Sequence, residues 1–462
     1  MLAAVRVRIL VLTWATAGML AAQTTNAPAT PSAEDSMPAT PLAGPQIISV
    51  SAFAAYYSSG VPETSALAQN SSSNVAPDFG GGGSIVFNWS KFTQRTTFSL
   101  SYNPSYSAQV RYSSLDALNH ALSLNISRKL TPLWTLGFSV AANYSTLEES
   151  LFAPSALSDV ASVSASSSQF SSALLSGNST GNPQLGVALT NSPTLESPVA
   201  SLLYGQHILS SSARSSLSHR FSPRLSLTFG GGGDRMQYIS QNQPSATGTT
   251  PLVGNTTSGI GSATLMYSLS PVTEVGGTVT STWVSSSLES ANFSTAMAKF
   301  GLTAGKRWTI QAHGGIGITK LLGQSYYAVQ IPPSPIGGAT LAFKSTSNTV
   351  VGSFDYSVAD TYGVGASSNS NFNVAWQWRH PGSFWSVQTN VSWQKLEGSA
   401  LSNTSGWKAS TGVNRVLGPH LSTLWQYTYL EYSGGLQSTG HSLSESAVRI
   451  SMIWTPQPNT LR

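Results

Sequence analysis

The 462-residue chain has only 8% charged residues, no cysteine and a formal net charge of +5, where ordinary soluble domains carry roughly 25% charged residues. That excludes a disulfide frame, a thiolate metal site and a lipid-anchored cysteine, and no stripe of cations interleaved with aromatics supports nucleic-acid binding. A mean hydropathy of -0.01, without any internal run of ~18 apolar residues, leaves strands rather than helices to carry the apolar surface.

Arg6 and Arg8 precede the apolar run Ile9 to Leu20 and the small residues Ala21 and Ala22. This order reads as a secretory signal peptide over 1–22. Its removal leaves a net charge of +3. Residues 23–45 are rich in Ala, Thr and Pro and too poor in large apolar groups to fold alone, so they are expected to be a flexible periplasmic segment.

From Gln46 onward the pattern has period two. Ile48, Val50, Ala52, Ala54 and Tyr56 share one face of a first strand, and Ile85, Phe87 and Trp89 share a face of the next. Between them Gly80 to Gly83 lacks the Gly-Lys-Ser/Thr ending of a phosphate loop, so it is expected to be a loop or a strand kink. Phe98, Leu100 and Tyr102 follow.

The clearest hairpin runs from Leu118 to Ser145. Leu118, His120, Leu122, Leu124 and Ile126 alternate with Asn119, Ala121, Ser123, Asn125 and Ser127. After the turn Arg128 to Pro132, Trp134, Leu136, Phe138, Val140, Ala142 and Tyr144 alternate with small polar residues. Each arm thus has one apolar and one polar wall. Residues 146–202 form the longest interruption, expected to be a functional or disordered loop.

The same grammar continues to the C-terminus. Turns are read at Arg220 to Arg224, Ser270-Pro271, Gly305 to Arg307, Arg379 to Gly382 and Leu417 to His420, each between alternating arms. Leu321 to Phe343, with Pro332-Pro333-Ser334-Pro335, is read as a second long loop, and a short arm is read between Asp360 and Ala366. The final strand, Leu443 to Trp454, precedes a tail at 455–462.

The alternation predicts an all-β fold, a closed antiparallel up-and-down transmembrane barrel over 46–454 of about 18 strands (roughly 16–18), with short periplasmic turns and long extracellular loops. Repetition of apolar-polar arms ending in an aromatic-terminated strand resembles bacterial outer-membrane β-barrel proteins of the porin-like kind. The resemblance is one of architecture. It implies outer-membrane lipid and the barrel-insertion machinery as partners, in a Gram-negative-type envelope. It also implies lipid-interface roles for Trp134, Tyr144, Trp376, Trp378, Trp385, Trp393 and Trp454.

Parity places Arg214, His313, Asp355, Lys408, Glu445 and Arg449 on the polar, lumen-lining face. Glu445 and Arg449 are four residues apart on one strand and are expected to pair with each other or with a neighbour. No Ser/His/Asp set assembles, and no His pair or acidic loop has metal spacing, so neither an enzyme nor a cofactor is expected. Two functions remain: a passive channel for small hydrophilic solutes, or a non-conducting structural or surface-binding barrel whose loops hold a polysaccharide or adhesin-type partner. The sequence leaves the oligomeric state open.

Overall fold

A computed structural model describes residues 45–58, 77–111, 116–146, 207–239, 255–286, 290–305, 307–322, 333–360, 366–397, 401–436 and 442–456. The signal sequence, residues 23–44, the interior of the 146–202 loop and the tail beyond Pro456 lie outside them. The strands are β1 (Gln46–Tyr57), β2 (Asp78–Phe92), β3 (Thr96–Gln109), β4 (Ala117–Lys129), β5 (Trp134–Thr146) and β6 (His207–Arg220). They continue as β7 (Leu225–Ile239), β8 (Thr256–Ser270), β9 (Thr273–Ser286), β10 (Ser290–Ala304), β11 (Trp308–Leu321) and β12 (Ser334–Lys344). The last six are β13 (Asn348–Asp360), β14 (Ala366–Arg379), β15 (Trp385–Glu397), β16 (Leu401–Val416), β17 (Leu421–Leu436) and β18 (Ser442–Trp454).

Every strand pairs antiparallel with its neighbours in sequence, and β1 pairs with β18 from Val50↔Trp454 to Tyr57↔Ala447. The 18-stranded sheet is therefore closed, which leaves no edge strand exposed. Both ends of the described chain lie at the same end of the barrel as the eight short hairpin turns. These turns carry their own chemistry. In the β14–β15 turn Ser383 N–H donates to the His380 carbonyl at 3.0 Å, with Pro381 fixing φ and Gly382 supplying φ 76°, the requirements of a type II turn. In the β2–β3 turn Thr96 N–H donates to Thr93 Oγ1 at 2.9 Å.

Three stretches differ from their sequence reading. The stretch Leu321 to Phe343 is not all loop, because β12 fills its second half and pairs with β11 and β13. Pro335 opens that strand, where a missing N–H costs least. The arm read between Asp360 and Ala366 falls on 361–365, outside the described residues, while β13 and β14 pair directly with each other, down to Asp360↔Ala366. The count of eighteen stands with one member exchanged. Gly80 to Gly83 is neither loop nor kink but part of β2. A Cβ on Gly82 would lie 2.9 Å from the Phe53 ring, and one on Gly80 3.1 Å from the Tyr57 ring. The glycines leave room for aromatic rings of β1 to lie across β2.

Candidate lumen wall

Burial decides which face is inside. The apolar face is open: Val279 is 60% exposed, and Leu118, Leu122, Phe138, Ile316 and Ile450 are also exposed. Polar residues of the opposite face are covered, with Lys299 at 4% and Glu445 at 1%. On a closed cylinder the concave face is the crowded one. The polar face is therefore the interior.

On the outer face the aromatics fall into two bands. Trp134, Trp308, Trp376, Trp378, Trp385, Trp425 and Trp454 lie toward the turn end of their strands, and Tyr144, Trp283, Trp393 and Trp407 toward the loop end. Trp134 and Tyr144 are ten residues apart on β5, or about 33 Å along the strand at ~3.3 Å per residue. A tilt of ~40° brings this to about 25 Å of height, the apolar thickness of such barrels. Two polar edges on this face find partners. Trp376 Nε1 donates to Asn348 Oδ1 at 3.1 Å, and Tyr102 Oη meets His120 Nδ1 at 2.9 Å. Trp393 and Trp407 face each other at 6.1 Å.

Inside, the six residues singled out from the sequence are spread over five strands. Arg214 is on β6, His313 on β11, Asp355 on β13, Lys408 on β16, and Glu445 and Arg449 on β18. Only two of them meet. His313 Nε2 and Asp355 Oδ1 are 3.0 Å apart, bridging Gly338, which pairs with both residues. On the other side of His313 its cross-strand partner is Lys299, whose Nζ has no hydrogen-bond partner among the described residues. Asp355 is in turn paired with Asn371. A cation, an imidazole, a carboxylate and an amide thus follow one register row from β10 to β14.

Arg214 is held differently. Its guanidinium donates to Asp234 Oδ2, which also accepts from Ser258 Oγ at 3.0 Å. Gly232, the partner of Arg214, leaves the space: a Cβ there would lie 2.7 Å from Arg214 Cδ. A glycine makes room in both ionic pairs: for His313–Asp355 it is on the strand between the partners, and for Arg214–Asp234 it is on Asp234's own strand, opposite Arg214.

Among the described residues no hydrogen bond joins Glu445 to Arg449. Arg449 stacks over the Phe53 ring, its guanidinium carbon 3.5 Å from the centroid, a cation–π contact. Both Glu445 carboxyl oxygens are buried and have no hydrogen-bond partner among the described residues. Lys408 lies in the same row, separated from Glu445 by Leu430, which is fully buried. A four-residue spacing on a strand spans about 13 Å, too far for a direct pair without both side chains bending.

Sequence reasoning missed Lys299, Asp234 and Phe53. Lys299 shares parity with Met297 and Gly301, between outer residues Ala298 and Phe300, so its face was legible. Asp234 follows the glycine run Gly230 to Gly233, which carries no alternation to read. The strand β7 runs on through it to Ile239. Phe53 lies on the face of β1 opposite Val50, Ala52 and Ala54, where the sequence reading singles out no residue.

No family model matches the chain, and no curated protein matches it. Among solved structures it is similar to a BenF-like porin from Pseudomonas fluorescens Pf-5, at 11% identity and TM-score 0.42, covering 90% of this chain and 100% of that one. Pseudomonas aeruginosa OpdQ gives 8% identity and TM-score 0.42 over 88% of this chain and 97% of that one. Pseudomonas aeruginosa OpdL gives 10% identity and TM-score 0.40 over 89% and 99%. The chain's own strand order and register make it a closed 18-stranded antiparallel β-barrel.

Proposed function

We propose that the protein is an outer-membrane β-barrel acting as a passive channel for small hydrophilic solutes. The observation that carries this is an 18-stranded closure with its polar groups turned inward. At ~4.8 Å between strands and ~40° of tilt, a round barrel of this number has a backbone diameter of roughly 35 Å. That exceeds what inward side chains fill, and barrels of this class leave an aqueous passage. Short turns and both termini then face the periplasm and the loops face outward. The partly exposed His313–Asp355 and Arg214–Asp234 pairs are the ionisable groups a passing solute meets. They sort it by field and size.

A second reading, a non-conducting barrel that binds through its loops, is favoured by one observation: interior residues of β17 and β18, Leu430 and Glu445 among them, are almost fully covered. One experiment separates the two. Purified full-length protein in planar bilayers gives stable conductance steps if the lumen is open; a barrel that inserts and stays silent supports the second reading.

A further inference from the structure

Charge is distributed along the barrel axis unevenly. Among the described residues, ten Arg and Lys lie in the eight hairpin turns or within two residues of them, against a single carboxylate, Glu274. At the opposite end the charges are mixed: Asp78, Asp116, Asp360 and Glu397 sit at or beside strand ends with Arg111, Lys320 and Lys395. Ion pairing does not account for six of the turn-end arginines. The three ion pairs among the described residues are Arg214–Asp234, His313–Asp355 and Lys395–Glu397. None involves Arg95, Arg128, Arg224, Arg307, Arg379 or Arg415, all of which are exposed.

Two of these arginines belong to the outer face. Arg128 continues the row Leu122, Leu124, Ile126. Arg415 lies over the Trp385 ring at 4.9 Å from its centroid, and Trp385 in turn meets Trp425 at 5.9 Å. Its guanidinium is therefore shelved on the turn-end aromatic band, at the depth where headgroups meet hydrocarbon. Indole covers one side of the guanidinium, which leaves its planar N–H fork for an oxyanion, and phosphate is the oxyanion found at that depth. In plain water such cations are simply hydrated. At a bilayer surface each one close to anionic lipid gains about fivefold in binding.

We propose that this turn-end collar is a binding surface for anionic phospholipid headgroups of the periplasmic leaflet, with Arg415 on its Trp385 shelf and Arg128 as the outer-face contacts. The inference rests on the bilayer-spanning orientation given above and is independent of whether the lumen conducts.

The test uses full-length protein in neutral detergent, titrated with phosphatidylglycerol or phosphatidylcholine and followed by native mass spectrometry. Phosphatidylglycerol should bind at least about fivefold tighter, and about 0.5 M salt should reduce that preference. The double substitution Arg128→Gln with Arg415→Gln should lower the preference severalfold, while Lys320→Gln with Arg111→Gln at the loop end should leave it unchanged. Equal binding of the two lipids by the wild-type protein overturns the proposal. So does a preference that survives loss of Arg128 and Arg415, or one insensitive to salt if that variant does not fold. Flotation with phosphatidylcholine vesicles keeps the failures apart. A protein that floats without lipid preference loses only the collar, whereas one that does not float loses the bilayer reading as well.

Discussion

His313 on β11 and Asp355 on β13 are two strands apart, and they meet because the strand between them contributes Gly338. A Cβ at Gly338 would lie 2.8 Å from His313 Cε1, 2.9 Å from Asp355 Oδ1 and 2.5 Å from the Phe354 carbonyl oxygen. The last is backbone and cannot rotate away. Gly338→Ala should therefore cost about 1–3 kcal/mol, the range for forcing a group into filled space. Gly314→Ala, on the neighbouring strand with nothing within 4 Å of the added methyl, should be close to neutral. Urea unfolding of the two variants in one lipid checks this; equal midpoints would remove the steric argument.

The Arg214–Asp234 contact has good geometry but modest expected worth. The two side chains are 27% and 40% exposed, and partly solvated pairs are worth about 0–1 kcal/mol. A double-mutant cycle with Arg214→Gln and Asp234→Asn should give a coupling under about 1 kcal/mol. A coupling of several kcal/mol would mean the pair is far drier than its exposure indicates.

The lumen row makes a prediction about ions. Lys299 is the buried amine of that row, and in its protonated form an amine in a pore wall favours anions through its field. Lys299→Gln should move the reversal potential under a KCl gradient toward cation preference, changing the anion-to-cation permeability ratio by roughly twofold. Asp355→Asn should move it the opposite way. Two shifts of the same sign would show that neither residue faces the conducting path.

The barrel was legible in the sequence because alternation is geometric: a strand alternates whatever surrounds it. Turns were legible for a similar reason, as at His380-Pro381-Gly382-Ser383, where residue chemistry dictates the backbone. β12 was hidden by its composition. Ser334-Pro335-Ile336-Gly337-Gly338-Ala339 offers little alternation, since the small residues make room for neighbours rather than burying themselves. The interior was harder still. On β17, Leu424 and Leu430 face inward among Ser422, Gln426 and Thr428, while Trp425 and Tyr427 are exposed outward, so apolar residues stand on both faces and the alternation is blurred. The partners of Arg214 and Arg449 depended on register across strands, which a single chain's periodicity does not carry.

At the closing seam, Phe53 is 5% exposed, lies against Gly82 and carries the Arg449 guanidinium on its ring. Phe53→Ala removes the ring and leaves a gap beside a glycine that cannot fill it, so a loss of about 3–4 kcal/mol is expected. Phe53→Leu should recover part of it by refilling the volume. If ring stacking matters beyond volume, Arg449→Gln should destabilise the wild-type barrel by about 0.5–1 kcal/mol but have no effect in the Phe53→Leu background. Heat-modifiable electrophoretic mobility, which reports loss of closure, gives the ranking.

The bilayer reading itself is tested on β4. Leu122 and Ser123 are adjacent in the middle of that strand, and alternation turns them to opposite faces. Leu122→Arg would put a guanidinium against hydrocarbon at mid-height, at a cost of about 2–4 kcal/mol. Ser123→Arg would put the same group inside, where water and polar neighbours receive it, and should cost less than about 1 kcal/mol. In a soluble all-β protein the order reverses, since an exposed leucine tolerates arginine and a polar interior position is the confined one. The sign of the difference, read from unfolding midpoints of the two variants in vesicles, therefore says which face of the wall meets lipid.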